Sequence, residues 1–184
     1  MANLKYMYIG IKISALCNAR CPWCFAIKTS QEVKACQGRG FMNFGTFKKV
    51  IERLEALGFL NSQVVVNLYA IGEPFLNKDL AKMFDLLESK SIKYGISTNA
   101  SVPFLSGPGT KKLKNLSNLI ISIPGFSQES YDRVHGFRFD KIQKNIIRLV
   151  DNFRKSGFKG DARLVYHVYQ FNLDEIYQAR EFAQ

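Results

Sequence analysis

The sequence contains no apolar run long enough to cross a lipid bilayer, although 47% of its 184 residues are hydrophobic. The segment from Tyr6 to Ile13 is too short and contains Lys12, so we expect neither a membrane anchor nor a signal peptide. Internal repeats, linkers and low-complexity segments are also absent from the sequence. The length suits a single domain with a sizeable core, and we predict one domain over residues 1–184.

Cysteine is scarce, with four residues and none after Cys36. Without a leader sequence, these cysteines favour a reducing, cytoplasmic location in which disulfides are rare. Acidic residues are few as well, and 15 of them against 26 Lys and Arg give a net charge of +11. The charge is spread along the chain rather than gathered in one stripe, so it is a weak indication of nucleic-acid binding and fits anionic ligands in general.

Three of the four cysteines lie within eight residues, in the segment CNARCPWC from Cys17 through Cys21 to Cys24. Thiolates at this spacing can converge on one iron–sulfur cluster or one zinc ion. A four-iron cluster held by three cysteines keeps one iron open for chemistry. A structural zinc site normally has four ligands, and Cys36, in a Gly- and Lys-rich loop, is the other candidate. The spacing therefore favours the cluster, with zinc as the alternative.

Strand-like and helical patterns alternate along the chain, which predicts parallel βα units. The predicted strands are Tyr8–Ser14, Val64–Tyr69, Ile92–Ser97, Leu119–Ile123 and Ala162–Val168. The predicted helices run from about Asn43 to Gly58, from Lys78 to Ser89, from Lys111 to Leu116, from Phe139 to Lys155, and from Leu173 to the end.

Polar residues follow each predicted strand, where the loops of parallel α/β folds bind ligands. The cysteine segment follows the first strand and Gly72-Glu73-Pro74 follows the second. Later strands end at Ser97 to Asn99, at Ser122, and at His167. The sequence therefore predicts one polar site at the carboxyl edge of the sheet.

The spacing CxxxCxxC, with Trp23 before the last cysteine, resembles the signature of the radical S-adenosylmethionine (SAM) superfamily. Further along, IGEP resembles the GGE motif after the second strand, and Asn99 occupies a position similar to the family's ribose site. The segment IISIPGFSQESYDRVHG resembles the subgroup of sulfatase maturases and peptide-modifying (SPASM-like) enzymes. The resemblance extends from Ile11 to about Gly136.

This resemblance implies a partial (βα)6 barrel with a 4Fe–4S cluster held by Cys17, Cys21 and Cys24, and SAM bound to the fourth iron. A reductant such as flavodoxin or ferredoxin would supply one electron, SAM would be cleaved, and the 5′-deoxyadenosyl radical would take hydrogen from a peptide, protein or small-molecule substrate. No residue is assigned as catalytic.

The resemblance also implies SAM contacts, for which the residue types are suitable. Glu73 and the backbone at Gly72 would accept hydrogen bonds from the methionine ammonium. Short polar side chains suit the ribose hydroxyls, namely Ser97, Asn99 and Ser122. Trp23 offers a surface for the adenine, with core packing as the alternative. His135 receives no role, and His167 is expected to be structural.

The chain departs from the family pattern at several points. Ile71 replaces the first glycine of GGE, and Pro124 takes the place of the usual aspartate. The sequence ends in a helix after the fifth predicted strand, so we expect a fragment that lacks a sixth strand, since an unpaired edge would be exposed. The substrate order expected is peptide or protein, then small metabolite, then RNA. The alternative function is a non-catalytic iron–sulfur or zinc module that binds a partner or nucleic acid.

Overall fold

A computed structural model describes residues 7–24, 40–103 and 112–184 of the chain. Cys36 and most of the polar loop predicted around it lie outside the described residues. No helix among the described residues is long and apolar enough to cross a membrane.

Five parallel strands form one sheet in the order β1-β2-β3-β4-β5. The strands are β1 Met7–Gly10, β2 Val64–Asn67, β3 Tyr94–Thr98, β4 Leu116–Ile123 and β5 Asp161–Tyr166. Neighbours in the sheet are also neighbours in sequence, as right-handed βα crossovers in one direction require. The predicted α/β class with about five βα units is confirmed.

The helices lie between the strands and after β5. They are α1 Phe44–Ala56, α2 Leu80–Ser89, α3 Gln128–Val134, α4 Phe139–Lys155 and α5 Ile176–Phe182, with 3₁₀ turns at Pro74–Leu76 and Gln170–Glu175. The Asn43 side chain caps α1 by accepting a hydrogen bond from the Thr46 amide at 2.8 Å. In the middle of this helix, Phe47 and Ile51 are fully buried.

One core joins the helices to the covered face of the sheet. Val66, Ile96 and Leu119 come from the strands, while Phe84 and Phe153 come from α2 and α4, and each is at most 1% exposed. The opposite face is partly open, since Tyr8 on β1 is 64% exposed. The buried face fixes the strands, and the loops at their carboxyl ends are left to form the site.

Most strand and helix ends differ from the prediction by one to three residues, and the differences are larger in three places. Strand β1 ends at Gly10, and the described residues after it form isolated bridges rather than a strand, among them the antiparallel bridge between Ser14 and Phe41. The predicted helix from Lys111 to Leu116 is wrong over its described part, because residues 112–115 are not helical and Leu116 begins β4. Helix α3, capped by the Ser127 hydroxyl, was not predicted.

Candidate functional site

A cavity of about 420 Å³ lies where the loops after the strands converge. All nine residues predicted to bind the cluster or SAM line it: Cys17, Cys21, Trp23, Cys24, Gly72, Glu73, Ser97, Asn99 and Ser122. They come from the loops or ends of β1 to β4, so the sheet brings together residues up to 105 positions apart, from 17 to 122. His135 and His167 line the same cavity.

The three cysteines of the motif are half-buried. Their loop is fixed by its own backbone, because the Cys24 amide donates to the Cys21 carbonyl at 3.3 Å. It is also fixed to the α3–α4 connection, since the Arg20 amide donates to the His135 carbonyl at 3.0 Å. Ala19, only 3% exposed, anchors the middle of the loop in the protein.

Burial raises the pKa of the Cys17 thiol, and the Glu73 carboxylate and Cys24 act in the same direction. The Ala19 amide and the Asn99 side chain oppose this by hydrogen bonding to the sulfur, at 3.4 and 3.7 Å. A thiolate is the form that binds metal. Cys17 therefore favours the protonated thiol until a cation replaces its proton.

Three thiols are the donor set that the family resemblance assigns to a four-iron cluster. Tetrahedral zinc with Zn–S bonds of ~2.3 Å needs sulfurs within roughly 4 Å of one another. Within the described parts of the chain, no group of three or more His, Cys, Asp or Glu side chains is arranged to hold one metal ion. The three thiols line one cavity, and thiolates are the ligands that iron–sulfur clusters use.

Glu73 is only 2% exposed, yet its carboxylate has three hydrogen-bond donors. The Thr98 hydroxyl donates at 2.8 Å, the Asn99 amide at 2.7 Å and the Phe75 amide at 3.0 Å. Burial raises the pKa of Glu73, and these three hydrogen bonds oppose the rise. The carboxylate thus joins the loops after β2 and β3, a structural function in addition to the ligand role predicted for it.

Gly72 adopts a left-handed backbone with φ of +92°. A Cβ atom built there would lie 2.6 Å from the Ser14 carbonyl oxygen and 2.8 Å from that of Leu16. This close approach lets the Glu73 amide donate to the Leu16 carbonyl at 2.7 Å. The glycine is therefore required for the loop after β2 to contact the cysteine loop.

The Asn99 side chain contacts the cysteine loop from the other side. Its amide nitrogen lies 3.7 Å from Cys17 Sγ and 3.3 Å from Asn18 Oδ1. Two residues later, the Ser101 hydroxyl and the Asn18 side chain are linked by hydrogen bonds of 2.9 and 3.1 Å. Asn99 thus positions the first cysteine in addition to the ribose contact predicted for it.

Two histidines that the sequence left without a binding role complete the cavity wall. Ser122 Oγ lies 3.2 Å from His167 Nε2, while His135 is 2% exposed. In both imidazoles Nδ1 is buried and has no hydrogen-bond partner among the described residues. Burial lowers the pKa of His135 to about 4 and also lowers that of His167, so both rings are neutral at pH 7. A bound polar ligand would satisfy these atoms.

Trp23 is 49% exposed and lines the cavity, so the core-packing alternative is wrong. Its ring packs against Tyr169, with centroids 4.9 Å apart, and Tyr169 stacks on Phe171. The loop after β5 that carries Tyr169 is fixed by Asn172, which is 1% exposed. An aromatic surface of this kind at a cavity wall is suitable for a planar ligand.

Asn172 also fixes the position of His167. Its side-chain amide donates to the Pro124 carbonyl at 2.7 Å and to the His167 carbonyl at 2.9 Å. Pro124, which stands where the family pattern has aspartate, therefore supplies a backbone acceptor that joins the ends of β4 and β5.

Comparisons with known proteins agree with this arrangement. The family model described as the Radical SAM superfamily matches residues 11–183. Among solved structures, Streptococcus suis SuiB bound to the precursor peptide SuiA aligns at 19% identity over 97% of this chain and 37% of its own, with a TM-score of 0.64. Native anSMEcpe with bound AdoMet aligns at 18% identity over 95% and 49%, with a TM-score of 0.62.

A third structure, BtrN in complex with AdoMet and 2-DOIA, aligns at 20% identity over 91% of this chain and 58% of its own, with a TM-score of 0.56. The chain thus spans about a third to three-fifths of the lengths of these structures, and their identities support a shared fold. A search of curated proteins found no significant match. Membership in this superfamily implies SAM and a 4Fe–4S cluster as cofactors. Because the superfamily model covers nearly all of the chain, the protein belongs to the radical SAM superfamily.

Proposed function

We propose that residues 1–184 provide the core domain of an enzyme that cleaves SAM reductively and removes hydrogen from a peptide or protein side chain. When bound, the cluster and SAM supply the 5′-deoxyadenosyl radical that performs this abstraction. The observation that carries the proposal is the single cavity that contains three cysteines and every predicted SAM contact. A reducing cytoplasm would keep the half-buried thiols of such a site reduced.

Cys17, Cys21 and Cys24 are proposed as the cluster ligands, because thiolates are the donors that iron–sulfur clusters use. The Gly72–Glu73 loop is proposed to orient the methionine ammonium through its backbone and, at Glu73 Oε2, through the carboxylate. Glu73 Oε2 accepts one described hydrogen bond, from the Asn99 amide, so it has a lone pair left for a ligand donor.

Ser97, Asn99 and Ser122 are proposed to hydrogen-bond the ribose hydroxyls, and Trp23 to pack on the adenine. His135 and His167 add two neutral imidazoles with unsatisfied Nδ1 atoms on the same wall. A neutral imidazole can donate or accept at Nδ1, so these residues are suited to a polar group of SAM or substrate.

A peptide substrate is proposed first because SuiB, which shares the fold, was solved with its precursor peptide. A small metabolite is the second candidate, supported by the structure of BtrN with 2-DOIA. The proposed cysteine ligands and SAM-binding loops are the same for a peptide and for a small metabolite. The choice between these two substrates therefore depends on the rest of the site.

Anaerobic reconstitution tests the proposal. The protein should take up about four irons and absorb broadly near ~400 nm, as thiolate-held clusters do. Replacing Cys17, Cys21 or Cys24 with alanine should abolish uptake, while Cys36→Ala is the matched control and should retain it. With dithionite and SAM, the reconstituted protein should release 5′-deoxyadenosine. Stoichiometric tightly bound zinc without iron uptake would favour the structural-module alternative instead.

A further inference from the structure

A second cavity, of about 530 Å³, lies on the other side of the chain segments that form one wall of the cofactor cavity. We call it the basic groove, since four cations line it: Arg138, Lys141, Lys144 and Arg148. No acidic side chain is among its described lining residues. The groove therefore concentrates positive potential that the even charge distribution of the sequence does not reveal.

Three of these cations have no internal partner. Arg138 pairs with Asp140 at 3.1 Å, whereas Lys141, Lys144 and Arg148 form no ion pair with any described residue and are exposed. Lys144 follows Lys141 by three positions and precedes Arg148 by four, so all three lie on one face of α4. Like charges at this spacing destabilise a helix. A ligand of opposite charge would relieve this repulsion between the three side chains.

The groove adjoins the cysteine loop. Ser101, in its wall, is hydrogen-bonded to Asn18, and Asn99, two residues earlier, contacts Cys17 Sγ at 3.7 Å. On the other side, a Cβ built on the groove residue Gly136 would lie 3.0 Å from Arg20 Cδ. A molecule seated in the groove is therefore separated from the first cysteine by one layer of protein.

The groove and the cofactor cavity share no lining residue. A molecule in the groove can approach the cysteine loop without displacing SAM or substrate. A substrate in the groove would be on the wrong side of this wall, because hydrogen abstraction requires contact with the radical. Electron transfer has no such requirement, since an electron passes through a protein layer.

We propose that the basic groove docks an acidic one-electron carrier of the flavodoxin type, which reduces the cluster. The proposal rests on the function proposed above. In the step, the carrier loses one electron and the cluster gains it, with no bond formed or broken. Single-stranded RNA fits less well, because sites of that kind stack successive bases on aromatic side chains, whereas the described lining of the groove contains one aromatic residue, Phe137.

The test compares the wild type with the triple variant Lys141→Glu/Lys144→Glu/Arg148→Glu. Binding of an acidic flavodoxin to immobilised full-length chain, with and without the cluster, should show an association rate constant at least ~10-fold lower in the variant at low ionic strength. The wild-type rate should fall steeply with salt, and the variant rate should depend on salt much less. Reduction by dithionite, followed by electron paramagnetic resonance, should be unchanged.

A second triple variant controls for net charge. Lys49→Glu/Lys78→Glu/Lys159→Glu changes the charge by the same amount at exposed positions outside the groove and should bind flavodoxin nearly as the wild type does. Equal losses in both variants, wild-type binding by the groove variant, or no binding by the wild type would each overturn the proposal. So would loss of single-stranded RNA binding with flavodoxin binding retained. Failure of dithionite-driven SAM cleavage in the wild type would instead refute the proposed function.

Discussion

Removing the Glu73 carboxylate should destabilise the protein even without cofactors. In Glu73→Ala the Thr98 hydroxyl and the amides of Phe75 and Asn99 lose their acceptor. A buried donor without a partner costs about 1–3 kcal/mol. Water from the adjoining cavity and the removal of a buried charge offset part of this sum. We expect a net loss of about 2–4 kcal/mol, or roughly 5–15 °C in Tm for a chain of this size.

Glu73→Gln separates hydrogen bonding from shape. The amide oxygen can still accept from two donors, but the amide NH₂ then faces a third donor. We expect the free energy of unfolding to fall by about 1–2 kcal/mol, which is less than in the alanine variant. The reason is that one buried hydrogen bond is replaced by two donors that face each other without an acceptor. The measurement is urea unfolding of the metal-free, reduced protein followed by circular dichroism, and Glu52→Gln on the exposed face of α1 is the control.

The direction of the Glu73 pKa shift also predicts how the stability difference between the wild type and Glu73→Gln changes with pH. Because burial raises the folded-state pKa of Glu73 above its ordinary value of 4.5, the folded protein holds this proton to higher pH than the unfolded chain. The stability associated with protonation is present below 4.5 and is lost as pH rises through the folded pKa. Wild type should therefore gain stability relative to Glu73→Gln as pH falls from 8 to 5. The reasoning is refuted if Glu73→Ala unfolds at the wild-type urea concentration with an unchanged m-value.

Two further variants test the supports of the site. Gly72→Ala places a Cβ 2.6 Å from the Ser14 carbonyl oxygen at a φ of +92°, so we expect about 1–3 kcal/mol of destabilisation and weaker SAM binding by calorimetry; wild-type stability would show that the loop can move away. Asn172→Leu removes the donor shared by the carbonyls of Pro124 and His167, and should cost about 2–4 kcal/mol in the same urea assay, whereas a neutral result would mean that water replaces the amide.

Much of the site was predictable because its residues follow strands whose carboxyl ends meet at one edge. The cysteines and Glu73 could be located from spacing and from the strand before each. His135 could not, because it lies at the end of α3, a seven-residue helix without a clear apolar stripe. The signal that could have found this helix is Ser127, whose hydroxyl accepts from the Ser130 amide at 3.1 Å as an N-cap.

Some features of the fold depended on contacts that no local pattern encodes. The apolar run after Gly10 predicts a continued strand, yet the strand ends there, and farther along the chain the Leu16 carbonyl accepts a hydrogen bond from the Glu73 amide in the loop after β2. The short helix predicted before β4 was wrong because a run of lysines and leucines fits the helical period, while pairing with β3 at Leu116 determines the outcome. The structural function of the Glu73 carboxylate also emerges only when three segments meet.

The hydrogen bonds around Glu73 form a closed ring through three loops. The Glu73 amide donates to the Leu16 carbonyl, its carboxylate accepts from the Asn99 amide, and the Asn99 side chain returns to Cys17 beside Leu16. The conformational entropy that is lost when Cys17 is ordered is thus lost on folding of the polypeptide. In a zinc finger, by contrast, metal binding and folding are the same event. We therefore expect this protein to fold before it binds metal, so that the metal-free chain already has the site in place when it takes up iron.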